Sequence, residues 1–136
     1  MKCVRAGFLT YQHAGDPADL VFSRHALHQL PDFWKAIALE RIATILRIGG
    51  VFRIRDLFLS CPLSQARDTV EVLLAGASDR PDLGWTRAEL ETHLRDEHST
   101  FTWLFEPMLK QAGFEVREGV YSQSRTYAEY SCVRIL

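Results

Sequence analysis

The chain has few cysteines, and their spacing excludes two classes of protein. Its 136 residues include Cys3, Cys61 and Cys132, which are far apart and odd in number. No Cys-x-x-Cys pair occurs, so the pattern predicts neither a disulfide framework nor a zinc site built on cysteine. We therefore expect reduced thiols and a cytoplasmic protein.

Long apolar runs and an excess of charge are also absent. The first ten residues, MKCVRAGFLT, are interrupted by Arg5 and Gly7. No apolar run there is long enough for a signal peptide or a membrane span, so we expect neither export nor a membrane partner. Sixteen Lys and Arg against seventeen Asp and Glu give a net charge of -1. No basic surface for nucleic acid is therefore predicted.

The length fits one domain that covers residues 1–136. A chain of this size can bury a sizeable core. We find no internal repeat, no low-complexity tract and no Gly-x-Gly loop in the sequence. The last absence argues against a glycine-rich phosphate site within these residues.

Strand and helix patterns alternate in the first half. Residues 4–11 are predicted to form a strand, and residues 20–23 have the continuous apolar character of a strand buried on both faces. Pro31 and Asp32 begin a helix, which we expect to end at the glycine pair 49–50. Its apolar positions are Trp34, Ile37, Ala38, Ile42, Ile45 and Leu46, with Lys35, Glu40, Arg41 and Thr44 on the other side.

The second half repeats the alternation and ends in a hairpin. Residues 51–56 are predicted to form a strand and residues 64–75 a helix. Thr86 and Glu89 have the spacing of a capping box, so another helix should begin there. A last helix tolerates Pro107 near its start and ends at residues 112–114. Strands at 115–121 and 126–133 then follow.

The most informative segment is DLVFSRHALHQL at 19–30, followed by a helix and by LRIGGVFRIRD at 46–56. Its order is strand, histidine loop, helix, double glycine and a strand ending in aspartate. In order, spacing and residue type this resembles the middle of a class I methyltransferase of the small-molecule type, dependent on S-adenosylmethionine (SAM). The closing hairpin resembles the end of that family's sheet, where the last strand lies antiparallel beside the fifth.

The resemblance implies an α/β fold, with a partial Rossmann-like methyltransferase sheet made of the family's strands 3 to 7. The sheet would end in an antiparallel hairpin and carry helices on its faces. Residues 4–11 would be the third strand, 20–23 the fourth, 51–56 the fifth and the hairpin the sixth and seventh. The eighteen residues before Asp19 are too few for the first two strand-helix units. The chain would thus be the C-terminal half, a truncated domain without the glycine-rich half.

The resemblance also implies SAM as cofactor and a small molecule as methyl acceptor. Ser23 and Arg24 would lie along the methionine part of SAM, or they simply end a strand. We expect this chain alone to bind SAM weakly or not at all, because the glycine-rich turn belongs to the absent half. A second copy of the chain or a complementing N-terminal half is the expected partner, since strand 20–23 would otherwise leave an unpaired edge.

His25 and His28 are the candidate catalytic residues. They follow a buried strand at its carboxyl end, where open parallel sheets bind ligands, and one of them could act as a general base. The alternative is that His28 packs into the following helix and His25 faces solvent. We expect His93 and His98 to be exposed, and we predict no metal site, because a metal pair needs one helical face and a third ligand.

Asp56 and Trp103 are the candidate substrate-binding residues. Asp56 ends the strand 51–56 and could orient a substrate or pair with an arginine, and the alternative that we favour is a buried structural acid. Trp103 lies in the aromatic segment FTWLF at 101–105, and the alternative for it, as for Trp34 and Trp85, is a place in the core. Glu129 is predicted to pair with an arginine of the strand 51–56.

Three functions remain open from the sequence. The first is the acceptor-side half of a small-molecule methyltransferase, with the missing strands supplied by another polypeptide. The second is a non-catalytic truncated fragment. The third is a small-ligand binding module that uses the histidine loop alone.

Overall fold

The computed structural model describes residues 1–80, 82 and 84–136, which form a mixed sheet with helices. In chain order the elements are β1 (Ala18–Arg24), α1 (Asp32–Ile45), β2 (Leu46–Leu59), α2 (Ala66–Ala75), α3 (Arg87–Asp96), β3 (Thr100–Phe101), α4 (Thr102–Gln111), β4 (Phe114–Tyr121) and β5 (Tyr127–Arg134). Short 3-10 turns cover Leu27–Gln29 and Leu63–Gln65. No helix among the described residues combines the length and apolar character needed to cross a membrane.

The sheet has the predicted α/β arrangement. Its strand order is β1-β2-β5-β4, and the two-residue β3 pairs with the far end of β2. β1 runs parallel to β2, whereas β5 runs antiparallel to both β2 and β4. The closing hairpin therefore inserts its last strand beside the central strand, as the resemblance implied. The predicted fold class, a partial Rossmann-like sheet with a terminal antiparallel hairpin, is confirmed.

The core lies between the sheet and the helices α1 and α4. Alternate residues of β2, namely Phe52, Ile54 and Phe58, are fully or almost fully buried and join Tyr130 of β5. Phe58 stacks on Phe105 of α4 with ring centroids 4.4 Å apart. Burying each such side chain contributes roughly 1.5–3 kcal/mol, so the alternation of β2 fixes which face of the sheet receives the helices.

Residues 4–11 do not form a strand, which corrects the prediction of a third strand. Gly7 accepts a hydrogen bond from the amide of Tyr11 at 2.9 Å, so the chain turns here instead of extending. The guanidinium of Arg41 donates to the carbonyls of Phe8 at 3.0 Å and Tyr11 at 2.6 Å. These contacts hold the segment against α1. Backbone groups that a strand would pair with β1 are therefore used by a turn and by one side chain.

The glycine pair does not end α1, which corrects the second boundary. The helix ends at Ile45, and Gly49 and Gly50 lie inside β2. Gly49 has a φ of +82°, and a Cβ on Gly50 would lie 2.8 Å from the carbonyl oxygen of Arg47. The register between β1 and β2 is irregular at this point. The two glycines permit this bulge, where a side chain would clash with the backbone.

Helix α1 buries a residue that the periodicity placed outside. The Lys35 side chain is fully buried, whereas Trp34 is 46% exposed. The Lys35 ammonium donates to the carbonyl of Leu30 at 2.6 Å, to Asp32 Oδ1 at 3.0 Å and to the carbonyl of His98. Burial lowers the pKa of Lys35, and Asp32 opposes this. Three acceptors thus compensate a charge that helical spacing alone would leave in solvent.

The predicted ion pair across the sheet is present. Arg53 Nη2 lies 2.8 Å from Glu129 Oε1. In the β2–β5 register Glu129 stands opposite Arg55, so the pair with Arg53 is diagonal. Both side chains are partly exposed, at 52% and 36%. The pair therefore lies on a face of β2 that is open to solvent, and it does not compensate a buried guanidinium.

Candidate functional site

The predicted site residues gather where β1 and β2 end. His25 directly follows β1, and its amide donates to the carbonyl of Arg55 at 2.9 Å. Asp56 is the next residue of β2, and His28 lies in the short turn after β1. Because β1 and β2 are parallel, their carboxyl ends meet at one edge of the sheet. Ser23, His25, His28 and Asp56 are thus placed together at the edge where such sheets bind ligands.

Ser23 and His25 each carry a buried polar atom that has no hydrogen-bond partner among the described residues. These atoms are Ser23 Oγ and His25 Nε2. Buried polar groups are satisfied in the great majority of cases, so each exception calls for an explanation. A bound ligand or an ordered water molecule would satisfy each of these atoms, and the ring of His25 packs beside Tyr127 with centroids 5.8 Å apart.

The backbone and the pKa of His25 are both unusual. Its φ is +49°, in the left-handed region that few residues other than glycine adopt. Burial lowers the pKa of His25, the arginines Arg24 and Arg55 lower it further, and Asp56 opposes them. The imidazole is therefore neutral at pH 7, with a lone pair that can accept a proton.

Asp56 fixes the neighbouring histidine, His28. Both side chains are buried, with 0% and 4% exposure. Asp56 Oδ1 accepts from His28 Nδ1 at 2.7 Å and from the amide of Leu57 at 2.8 Å, and Oδ2 accepts from the amide of His28 at 3.1 Å. The carboxylate therefore selects the tautomer with the proton on Nδ1 and leaves Nε2 of His28 with a free lone pair.

His93 and Glu97 meet that free nitrogen. His93 is only 2% exposed, so the prediction that it is solvent-exposed is wrong. Glu97 Oε2 lies 3.4 Å from His28 Nε2 and also contacts His93 Nδ1. His93 and Glu97 are four residues apart at the end of α3, and the amide of His98 donates to the carbonyl of His28 at 2.8 Å. That hydrogen bond joins α3 to the histidine loop, and no pattern in the sequence predicts it.

The remaining candidates lie around this group. Arg24 and His98 are exposed, the latter as predicted. Trp103 is 46% exposed, stacks on Phe101 at 4.8 Å and donates to the carbonyl of Cys61 at 3.2 Å. Trp85, which is 42% exposed, lines a cleft of about 420 Å³ together with His93 and Glu97. The cleft next to the histidines is thus bordered by Trp85, whereas the sequence favoured Trp103.

Comparison with known proteins identifies the fold but not the family. No family model and no curated protein matches the chain. Solved structures do match it over nearly its whole length. The mitomycin 7-O-methyltransferase MmcR has a TM-score of 0.60 at 17% identity, with 95% of this chain and 32% of that chain covered.

Two further matches extend this picture. A complex that contains the Haloferax volcanii Trm112 methyltransferase activator gives a TM-score of 0.64 at 16% identity, covering 96% of this chain and 60% of that chain. Human N-acetylserotonin methyltransferase, solved with SAM, gives 0.55 at 18%, covering 96% and 33%. Other matched structures are a [4+2]-cyclase and a pericyclic reaction enzyme. The chain has a methyltransferase-like fold and spans less than two thirds of the length of each of these five structures.

Proposed function

We propose that this chain is the acceptor-side half of a SAM-dependent methyltransferase that acts on a small molecule. The observation that carries the proposal is the pair of buried, unpartnered polar atoms at the carboxyl end of β1, Ser23 Oγ and His25 Nε2. They lie at the edge where open α/β sheets bind ligands. The methyltransferase-like fold makes SAM and its acceptor the ligands to test first.

The residues present fit one end of SAM. The unpartnered hydroxyl of Ser23 can bind the amino acid part, which carries an ammonium and a carboxylate, whereas the exposed side chain of Arg24 leaves β1 on the opposite face of the sheet. The sequence has no Gly-x-Gly loop for the rest of the cofactor. We propose that strands outside these 136 residues hold the adenosine part. SAM, when bound, supplies an electrophilic methyl group on its sulfonium.

The two predicted catalytic histidines receive different roles. His25 is neutral, carries a free buried nitrogen and has a strained backbone, and these features suit a general base that takes the proton of the acceptor. His28 is fixed by Asp56, which is fully buried and already accepts three hydrogen bonds. We assign Asp56 and His28 to positioning the loop, because proximity and orientation account for much of a transfer reaction.

A nuclear magnetic resonance titration of the chain tests the proposal. We expect methionine and S-adenosylhomocysteine, at millimolar concentration, to shift the amide signals of residues 22–28 and 55–58, while adenosine shifts none of them. Ser23→Ala should abolish the shifts, and Ser64→Ala, a change at an exposed serine, should leave them intact. Shifts confined to other parts of the chain, or equal shifts with adenosine, would contradict the assignment.

Activity is expected only with the missing strands in place. The purified chain should show no methyl transfer and no saturable SAM binding at micromolar concentration. A thermal stabilisation of several degrees by SAM would contradict this expectation, since such a shift implies tight binding. The partner that completes the site is a complementing N-terminal half, and the open edge of β1 is where its strands would pair.

A further inference from the structure

Three side chains with metal-binding atoms converge beside the site, and two of them, His93 and Glu97, have no part in the proposed methyl transfer. His28 Nε2, His93 Nδ1 and a carboxylate oxygen of Glu97 all lie within 4.8 Å of one another. Two neutral imidazoles and one carboxylate are the ligand set of several zinc enzymes, and His93 and Glu97 sit at the i and i+4 positions of one helix end.

The hydrogen bonds among these groups are incomplete. His28 Nε2 and Glu97 Oε2 are 3.4 Å apart, and both are acceptors when His28 is neutral with its proton on Nδ1. Two acceptors at this distance repel each other unless a proton or a cation lies between them. The side-chain nitrogen of Gln29, Nε2, lies 3.4 Å from His28 Nε2 and 3.3 Å from Glu97 Oε1. Both distances are long for a hydrogen bond.

His93 presents the same situation from the other side. Its Nδ1 is buried, faces Glu97 Oε2 and makes no hydrogen bond of regular geometry among the described residues. Its Nε2 lies 2.7 Å from Ser99 Oγ, so that nitrogen has a partner. When Nε2 carries the proton and donates to Ser99, the lone pair on Nδ1 points at the carboxylate. In that tautomer Nδ1 can bind a metal, whereas in the other tautomer Nδ1 carries the proton and donates it to Glu97.

The other ring nitrogen of each histidine also has a polar partner. Histidines that bind metals usually donate their other ring nitrogen to a carboxylate, carbonyl or hydroxyl. Asp56 does this for His28 and Ser99 for His93, both at 2.7 Å. Asp56 thereby holds His28 in the orientation and tautomer that binding requires, and the Ser99 hydroxyl can accept from His93 in the tautomer that leaves Nδ1 for the ion.

We infer that His28, His93 and Glu97 form a Zn²⁺ site whose fourth position opens to the cleft beside Trp85. Ligands of a tetrahedral Zn²⁺ ion lie about 3.3–3.5 Å from one another, given bonds of about 2.0–2.2 Å. The 3.4 Å between His28 Nε2 and Glu97 Oε2 matches that spacing, whereas Glu97 Oε2 lies closer than this to His93 Nδ1, so the Glu97 side chain has to move away from His93 to admit the ion. The cleft of about 420 Å³ gives the ion access to water or to a ligand atom. This inference does not depend on SAM binding or methyl transfer.

Calorimetric titration of Zn²⁺ into chelator-stripped protein tests the site. A Cys3→Ser background removes the exposed thiol as a competing ligand. We expect one ion per chain, a roughly 100-fold or greater loss of affinity in Glu97→Gln, and roughly a tenfold loss in Ser99→Ala. Glu97 is 31% exposed, so its substitution should leave the fold intact. Glu91→Gln, on the same helix, is the matched control and should bind like the parent.

Co²⁺ provides a second measurement that a structural role of these residues would not produce. The Co²⁺ form should show the intense visible absorption of a tetrahedral ion, and Glu97→Gln should remove it. Absence of saturable Zn²⁺ binding, equal affinities in Glu97→Gln and Glu91→Gln, or binding that His98→Gln abolishes would each overturn the assignment.

Discussion

Replacing Asp56 by asparagine removes the charge that fixes the histidine loop and leaves the size of the side chain unchanged. Asp56 is fully buried and accepts from the amides of His28 and Leu57 and from His28 Nδ1. Every one of these partners is a donor. The amide group of an asparagine would therefore face a donor in either orientation, and one N–H would lose its acceptor.

The expected decrease in the free energy of unfolding follows from these three hydrogen bonds. In its better orientation the asparagine side chain keeps its oxygen at the Oδ1 position, where it accepts from His28 Nδ1 and from the amide of Leu57. The backbone amide of His28 then has no acceptor. An orphaned buried donor costs about 1–3 kcal/mol, and two hydrogen bonds that lose their charge weaken by about 1 kcal/mol each. We therefore expect Asp56→Asn to lower the free energy of unfolding by roughly 3–5 kcal/mol, a large part of a typical 5–15 kcal/mol.

Urea unfolding, followed by tryptophan fluorescence and circular dichroism, measures this difference. Asp56→Ala should cost more than Asp56→Asn, because it removes all three acceptors. Asp96→Asn is the control, since Asp96 is an exposed acid at the end of α3 and should change stability by less than about 0.5 kcal/mol. A loss below about 1 kcal/mol in Asp56→Asn would refute the reasoning, because an orphaned buried N–H alone should cost at least that much.

Three further outcomes are expected. Glu129→Gln should lower the free energy of unfolding by less than about 1 kcal/mol, and the loss should shrink in high salt, because the ion pair of Glu129 with Arg53 is half-exposed. A larger, salt-independent loss in urea unfolding would contradict this prediction. Burial lowers the pKa of His25, so the unfolded chain binds its proton more readily, and stability should be full above pH 6.5 and fall as the pH drops from there towards the folded-state pKa. Asparagine tolerates the positive φ of this position, so His25→Asn should reduce the change of the melting temperature with pH below pH 6.5. An unchanged dependence on pH would contradict the role of His25. Leu20 and Phe22 are 56% and 59% exposed on the edge strand β1, so light scattering should show a dimer or a larger species. Phe22→Lys should convert that species to monomers. A monodisperse wild-type monomer at tens of micromolar would rule out the association.

Local signals in the sequence predicted most of the regular elements. The start of α1 at Asp32 and the end of α4 near Gly113 follow from proline and glycine chemistry. The capping box of Thr86 and Glu89 is formed by both of its hydrogen bonds. These features depend on residues within a few positions of one another, so a single sequence contains the information.

Features that depend on distant partners were missed. Lys35 is buried because the carbonyl of His98 reaches it from another part of the chain. His93 is buried because its ring packs against His28, with centroids 4.6 Å apart. Asp56 was recognised as a candidate, but its partner His28 could not be identified from spacing. Residues 4–11 have strand propensity, yet Arg41 and a turn take their backbone groups.

The position of β5 has a consequence for how the chain folds. β2 lies between β1 and β5 in the sheet, and the pairing of Val51 with Val133 joins residues from distant parts of the sequence. During synthesis this edge of β2 must therefore stay unpaired until β5 has been made. Such non-local pairing slows folding and prolongs the period in which exposed strands can aggregate. The last strand among the described residues, β5, completes the centre of the sheet.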